Sequence, residues 1–484
     1  MIGKIAVVTP LYKNKGDATD PNNYRGISVI SPIAKIFENI LSMQIKIHLK
    51  LNNILYSGQH GFRTFHSCET ALHELITDLN KSKDKKLISL LLFIDFKKAF
   101  DLVDSKILLR KLHHIGFKFN SLKLIENYFS NRFQMVKLND SILDQRENKL
   151  GVPQGSVLGP LFFTIFINDL PFFLNKVKCL MFADDSTLYD NDKSLNKLIL
   201  KYSIYINDLL EWCKFNKMDI NWSKTFFMIV TNQRFKHPKS ISISNICIEV
   251  VESFKLLGVT IDNKLNFSEY VHQVKTEIYK KLFSIKKIFY LSKSVKVQFF
   301  KSFILPHFNY CLSLVIYYPK SSIQTLANCF YYCLYKLFKF KVSIDPTETN
   351  NNLEKLGLNT FQNIIILKLS LFIHKIHNEI NSPLNLKCQI ILTNDVLNYN
   401  LRSNIKYSIT QTKISHYGEL TFNYFTSKFL NEFIDEIDLK MSLFKTRIYN
   451  NINILYNKFI KIFPKFNLVF KNFDYLEKEK CIQV

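Results

Sequence analysis

The stretch Cys179-CLMFADDSTLYDN-Asn191 decides the reading of this chain. Leu180, Met181 and Phe182, then Leu188 and Tyr189, have the apolar character of a buried strand, yet Asp184 and Asp185 interrupt it. Removing a carboxylate from water is costly, and two side by side also repel each other. The pattern therefore predicts a hairpin, strand "CLMFA" and returning strand "STLYD", with both acids at its tip. A second apolar run, "LISLLLFID", ends in the same way at Asp95. It is short and almost wholly apolar, as expected of a strand covered on both faces. If the two strand ends lie side by side in one sheet, three carboxylates converge. Such a cluster calls for divalent cations. Mg²⁺ prefers hard oxygen ligands, usually one or two carboxylates plus substrate phosphates. Two ions about 3.5–4 Å apart serve in-line phosphoryl displacement.

The bulk properties suit that chemistry. The 484 residues are 47% hydrophobic and carry a formal net charge of +25, from 65 basic and 40 acidic residues. Such a charge favours a polyanion such as nucleic acid, although a Lys-, Asn-, Ile- and Phe-heavy composition alone would also raise it. Aromatic content is 14%, mostly Phe and Tyr. The nine cysteines have no regular spacing, which argues against a disulfide framework or a zinc module and for a reducing, intracellular compartment, nuclear or cytoplasmic. No apolar run is long enough to span a bilayer, and no secretory leader is evident, so no membrane association is expected.

Periodicity and turn chemistry outline the rest. Residues 5–8 read as a strand followed by a polar loop through "YKNKGDATDPNNYRG". Residues 31–51 read as a helix with Ser31 as cap and Pro32 at its first position. "SGQHGFR" reads as a loop before an amphipathic helix reaching about Lys81, with "KSKDKK" as a charged turn. "GVPQGSVLGPLFFTIFINDL" reads as a glycine-rich turn entering an apolar helix capped by Ser156. Residues 195–217 read as helix, and "TFFMIVTN", "ISISNICIEVV" and "FKLLGVTID" as strands. Beyond about Asn263 the chain turns helical, Lys-rich and aromatic. Beyond about Asn394 it is Asn-rich and weakly patterned.

Taken in order, "NYRGIS", "QHGFRTFHSCETAL", "FIDFKKAFDLVD", "GVPQGSVLGPLFFTIFINDL", "FADD", "INWSKTFFM" and "FKLLGVTID" resemble the successive blocks of a reverse transcriptase. The set is similar to the non-LTR retrotransposon type, the jockey-like and long-interspersed-element RNA-directed DNA polymerases. The resemblance implies an α+β right-hand polymerase. Fingers and palm, with an antiparallel palm sheet flanked by helices, would occupy residues 1–262. A helical thumb-like region would follow at 263–393, and a C-terminal extension at 394–484.

The resemblance also implies roles. Asp95, Asp184 and Asp185 match the metal-binding aspartates, for two Mg²⁺ ions with Mn²⁺ as a substitute. Phe100 matches the aromatic that excludes a ribose 2′-OH. Gln154 and Gly155 match the block holding the template–nucleotide pair. Arg63 matches a triphosphate contact, with Arg25 a further candidate on that surface. Lys224 matches a proton donor to departing pyrophosphate, and Leu257 with Gly258 the primer grip. Asp101 and Asp104 are expected to be structural. Gly26 stands where the family commonly has Pro, which would leave that loop freer.

The implied partners are an RNA template, a DNA primer or target DNA and dNTPs. No upstream apurinic-type endonuclease and no zinc knuckle are expected within this chain, so a separately encoded endonuclease or RNA-binding protein would complement it. The competing readings are a maturase- or telomerase-like enzyme and a catalytically silent, domesticated nucleic-acid-binding protein. For residues 264–393, a duplex-tracking basic and aromatic surface competes with an ordinary helical bundle.

Overall fold

The computed structural model describes residues 4–468 except 15, 139, 149, 175, 285–289, 343–345, 394–405 and 438–440. The chain forms two compact units, each assembled from separate segments. One contains residues up to His66, Ser89–Phe227 and Lys236–Val250. The other contains Ser67–Ile88, Met228–Phe235 and the residues from Val251 on. The chain thus crosses between the units several times, where the linear reading places one early boundary near residue 263.

The first unit holds one five-stranded sheet, a small hairpin, and a four-stranded sheet apart from its Ile88 and Met228–Val230, which fall in the other unit. The five-stranded sheet has the strand order Tyr24–Val29, Ile5–Tyr12, Phe133–Leu138, Ser141–Ile142, with Arg146–Glu147 also on Phe133–Leu138. Its first pair is antiparallel, and it corrects the expected loop. Residues 24–29 are a strand, in which Gly26 lies opposite Pro10. Gly26 is therefore not a freer loop position. A Cβ there would stand 2.9 Å from a Val8 methyl, so a side chain would force Val8 on the neighbouring strand to shift. Pro10 lies past the Ile5–Val8 segment that pairs with Phe133–Val136, where its missing N–H breaks no ladder on that side.

The four-stranded sheet has the order Lys178–Phe182, Asp185–Asp192, Ile88–Ile94, Phe226–Val230. Every residue of Ile88–Ile94 is buried, as its apolar run requires. Tyr202, on helix Leu195–Asn216, donates its buried hydroxyl to the carbonyls of Leu90 and Leu188, joining neighbouring strands. Helix Leu158–Ile167 is buried at every residue except Pro160. Each of its phenylalanines contributes about 1.5–3 kcal/mol through burial. Asp169, just beyond, accepts from Lys111 at 2.7 Å and from the Trp212 indole at 3.0 Å, tying together three helical segments.

Several local expectations change. Helix Pro32–Leu51 forms with Pro32 at its start, but Ser31 makes no side-chain cap bond. Ser156 accepts from the Gly159 N–H at 2.8 Å. "ISISNICIEVV" is not one strand but a hairpin, Ser240–Ile243 and Ile246–Glu249, because Ser244 and Asn245 both take positive φ. That is the two-residue turn chemistry of a tight hairpin.

In the second unit, helix Cys68–Asp84 starts with a Ser67–Thr70 capping box and extends past the expected Lys81 to Asp84, leaving Lys85 and Lys86 as the turn. Its buried His73 bonds to Tyr317 and Ser313 at 2.8 Å each, and the Asp84 carboxylate accepts the N–H groups of Lys413 and Ile414. Helices Ser268–Ser284, Lys320–Phe338, Phe361–Asn378, Phe422–Ile437 and Met441–Ile462 supply most of the remainder. The last two lie in the weakly patterned region, and the alternation of Phe425, Phe429, Phe459 and Phe463 in ring contact explains their order. Among the described residues, no helix is long and apolar enough to cross a membrane.

Candidate active site

Strand Ile88–Ile94 delivers Asp95 to its end, and a neighbouring segment fixes it there. The Asp95 carbonyl accepts from the Asn221 N–H at 2.7 Å, and its Oδ2 accepts from the Asn221 side-chain amide at 3.0 Å. Phe96 bridges Ile220, and the Lys97 N–H reaches the Asp219 carbonyl at 2.8 Å. Thr225 donates to the Asn221 carbonyl at 2.9 Å, holding this brace in shape. Asn221 is a site residue that the motif reading passed over. It stands in the quoted block "INWSKTFFM", three places before Lys224.

The second carboxylate pair sits on the expected hairpin. Lys178–Phe182 and Asp185–Asp192 are antiparallel, with Phe182 opposite Asp185, so Ala183 and Asp184 form the turn. Ala183 has a φ of 58°. A left-handed conformation costs a residue with a Cβ about 1–2 kcal/mol, so neighbours must hold this turn. Those neighbours come from "SGQHGFR". The Met181 N–H donates to the Gly58 carbonyl at 2.9 Å, and the His60 N–H to the Met181 carbonyl at 2.8 Å. Gln59 lies parallel to Met181, and its Oε1 accepts the N–H of Ala183. What reads as a loop is an added edge to the hairpin.

The electrostatics draw the acids into one group. Asp184 is half-buried and Asp185 is exposed at the tip of the hairpin. Burial raises the Asp184 carboxyl above its ordinary range, and Asp95 raises it further, while its own backbone N–H and the Arg25 guanidinium pull it back. Asp185 is exposed at its surface, yet burial of its carboxyl pushes that group up to about 6, with Asp184 and then Asp95 adding to the rise. Three mutually repelling carboxylates with hard oxygen donors fit a divalent cation. They do not enclose one by themselves. Among the described residues, no group of three or more His, Cys, Asp or Glu side chains is gathered tightly enough to hold an ion. Cations bound here would draw further oxygens from substrate.

The other expected site residues are distributed as follows. Phe100, in the turn Ala99–Asp101, is half-buried and stacked on Phe163 at 4.4 Å. Gln154 donates its side-chain amide to Asp101 at 2.9 Å, and its carbonyl accepts from the Ser28 N–H. Gly155 has a φ of 108°, and a Cβ there would meet the Ser28 carbonyl oxygen at 2.7 Å, so only glycine suits this turn. Arg25 is exposed on strand Tyr24–Val29. Arg63 turns inward: its Nη1 donates to the carbonyls of Tyr56 and Gln59 at 2.8 and 3.0 Å. Burial lowers its guanidinium pKa. Lys224 is exposed in the turn Trp222–Lys224.

Asp104 is structural, as expected. It accepts two N–H groups at the start of helix Ser105–His114 and pairs with Lys217 at 2.7 Å. Leu257 and Gly258 belong to the other unit, at the turn between Ser253–Leu256 and Val259–Asp262. Tyr310 donates its hydroxyl to the Leu257 carbonyl at 2.6 Å.

Comparison with known proteins places the segments that carry this arrangement in a family. Residues 12–261 match the family described as reverse transcriptase (RNA-dependent DNA polymerase). The chain is 28% identical over 289 residues to a probable RNA-directed DNA polymerase from transposon BS of Drosophila melanogaster, covering 58% of this chain and 32% of that protein. It is 24% identical over 334 residues to the RNA-directed DNA polymerase from mobile element jockey of the same organism, covering 67% and 36%. The chain therefore spans about a third of the length of these curated relatives. Among solved structures, telomerase from Candida albicans in complex with a telomeric RNA fragment aligns at 15% identity and a TM-score of 0.40, covering 76% of this chain and 59% of that one. The family match takes in more than half of the chain, including all three aspartates and the segments that brace them, and the chain belongs to the reverse transcriptase family.

Proposed function

We propose that this chain is the RNA-directed DNA polymerase portion of a non-LTR retrotransposon. It would extend a DNA primer 3′-OH with dNTPs on an RNA template and release pyrophosphate. The observation that carries this reading is the mutual charge interaction of Asp95, Asp184 and Asp185 at adjoining strand ends, within the matched family region. Asp95, Asp184 and Asp185 are the residues that would hold divalent cations, two Mg²⁺ or Mn²⁺ ions. Bound cations would supply charge neutralisation and a lowered hydroxyl pKa for in-line displacement.

The chain's own residues are assigned the surrounding tasks. Arg25, already influencing Asp184, would meet an incoming triphosphate. Arg63 is anchored through Nη1 to two carbonyls, and its planar fork would offer further N–H groups to phosphate oxygens. Gln154 and Gly155 would seat the template–nucleotide pair. Phe100, fixed by Phe163, would stand under the sugar. Lys224 would protonate the leaving pyrophosphate, and the Leu257–Gly258 turn would support the primer end.

Primer extension on poly(rA)/oligo(dT) tests the reading. Wild-type chain is expected to incorporate dTTP only with a divalent cation, and Asp184→Ala to fall to background. Folded wild-type protein that incorporates nothing would instead support a silent nucleic-acid-binding role. Phe100→Ala should raise the ratio of rNTP to dNTP incorporation by roughly 10–100-fold. Unchanged sugar selectivity would remove Phe100 from that role.

A further inference from the structure

The segment Ile54–Arg63 does more than cover an open sheet edge. It is itself braced at both ends. Asn168 donates its side-chain amide to the Ile54 carbonyl at 2.9 Å and accepts from the Tyr56 N–H at 2.8 Å. The Arg63 guanidinium holds the carbonyls of Tyr56 and Gln59. Two glycines let the segment lie against the hairpin. A Cβ on Gly58 would stand 2.6 Å from the Cys179 carbonyl oxygen, and one on Gly61 would stand 2.4 Å from the Ala183 nitrogen.

Gln59 sits at the centre of this cradle and is 1% exposed. Its Oε1 accepts two N–H groups, from Gly61 at 2.7 Å and from Ala183 at 3.2 Å. Two donors converging on one atom fix the amide's orientation, since a flip would set N–H against N–H. The opposite end of the amide, Nε2, is buried with no hydrogen-bond partner among the described residues. An apolar side chain would avoid that penalty. What only an acceptor provides here is a pair of bonds, one to Gly61 within the segment and one to Ala183, the strained residue directly before Asp184.

We propose that Gln59 is a positioning residue for the cation site: by holding the Ala183 N–H it fixes the turn that carries Asp184 and Asp185. With that bond gone, the Ala183 peptide is free to rotate out of its left-handed conformation. The carboxylate on the next residue then shifts relative to Asp95. Sites of this kind depend on placement to within about 0.5 Å. The proposal rests on the reading of the three aspartates as cation ligands.

The test compares the full chain with Gln59→Met, which keeps the bulk and removes the acceptor, and Gln59→Glu, which keeps an acceptor. Amide hydrogen exchange is followed without divalent cation, and Mg²⁺ dependence is followed in primer extension. Gln59→Met is expected to speed exchange in peptides spanning 179–187 by about tenfold. Peptides spanning 253–262 should be unchanged. The half-saturating Mg²⁺ concentration should rise about tenfold, with the KM for poly(rA)/oligo(dT) unaltered. Gln59→Glu should restore exchange protection at 179–187. Wild-type exchange at 179–187 in Gln59→Met overturns the proposal. So does acceleration spread evenly over the whole chain, or an unchanged Mg²⁺ requirement. If wild type extends no primer, the polymerase reading falls alone, and the exchange data still decide whether Gln59 holds the turn.

Discussion

Two hairpins of this protein solve the same backbone problem in different ways. Lys178–Phe182 and Asp185–Asp192 turn through Ala183 and Asp184, while Ser253–Leu256 and Val259–Asp262 turn through Leu257 and Gly258. Each turn begins with a non-glycine residue at positive φ, 58° for Ala183 and 48° for Leu257. Each is gripped from outside by one side chain. Gln59 accepts an N–H from the first, and Tyr310 donates its hydroxyl to a carbonyl of the second. The second turn stays left-handed through a glycine at φ 81°, whereas the first places an aspartate there without a positive φ, so its left-handed strain falls on Ala183 alone. A turn that must present a carboxylate cannot spend that position on glycine. Its geometry then depends on the external clamp.

That difference can be broken experimentally. The largest stability effect is expected for Gly258→Ala. A Cβ there adds about 1–2 kcal/mol of left-handed strain, and it would stand 3.0 Å from the Tyr310 hydroxyl. Tyr310→Phe should cost less, up to about 1 kcal/mol, because Tyr310 is exposed and water can replace its bond. Urea unfolding measures both. If Tyr310→Phe costs more than Gly258→Ala, the second turn also depends chiefly on its clamp and the contrast disappears.

A subtler effect belongs to the first hairpin. The folded-state carboxyl of Asp185 titrates at about 6, above its ordinary value of 3.8. In that window the folded chain retains a proton that the unfolded chain releases. Without divalent cation, stability should therefore fall as pH rises from about 3.8 to 6. Asp185→Asn should show a shallower decline over the same range, as measured by thermal unfolding against pH. Identical slopes would contradict the raised carboxyl.

The carboxylates were legible in the sequence because each terminates an apolar run, where an acid is out of place unless chemistry requires it. Strand Ile88–Ile94, the hairpin and helix Leu158–Ile167 were legible for the same reason: long apolar patterns and turn residues are local signals. The clamps were not. Gln59 lies 124 residues from Ala183, Asn221 lies 126 from Asp95, and Tyr310 lies 53 from Leu257. Nothing in the local composition of "SGQHGFR" distinguishes a loop from a strand-like edge. That distinction exists only once the hairpin offers it open N–H and C=O groups. Strand Tyr24–Val29 was obscured similarly, since Gly26 and Asn23 read as turn chemistry until Ile5–Tyr12 lies beside them.

The central claim is that Asp95, Asp184 and Asp185 act as one cation-dependent centre. Block "FIDFKKAFDLVD" contains its own control, because Asp104 is a helix cap paired with Lys217 and asparagine caps helices as well. The direct measurement is dTTP incorporation on poly(rA)/oligo(dT) across a Mg²⁺ titration, for wild type, Asp95→Asn and Asp104→Asn. The account predicts background incorporation by Asp95→Asn at every Mg²⁺ concentration and substantial activity in Asp104→Asn. Incorporation by folded Asp95→Asn at the wild-type rate would contradict it.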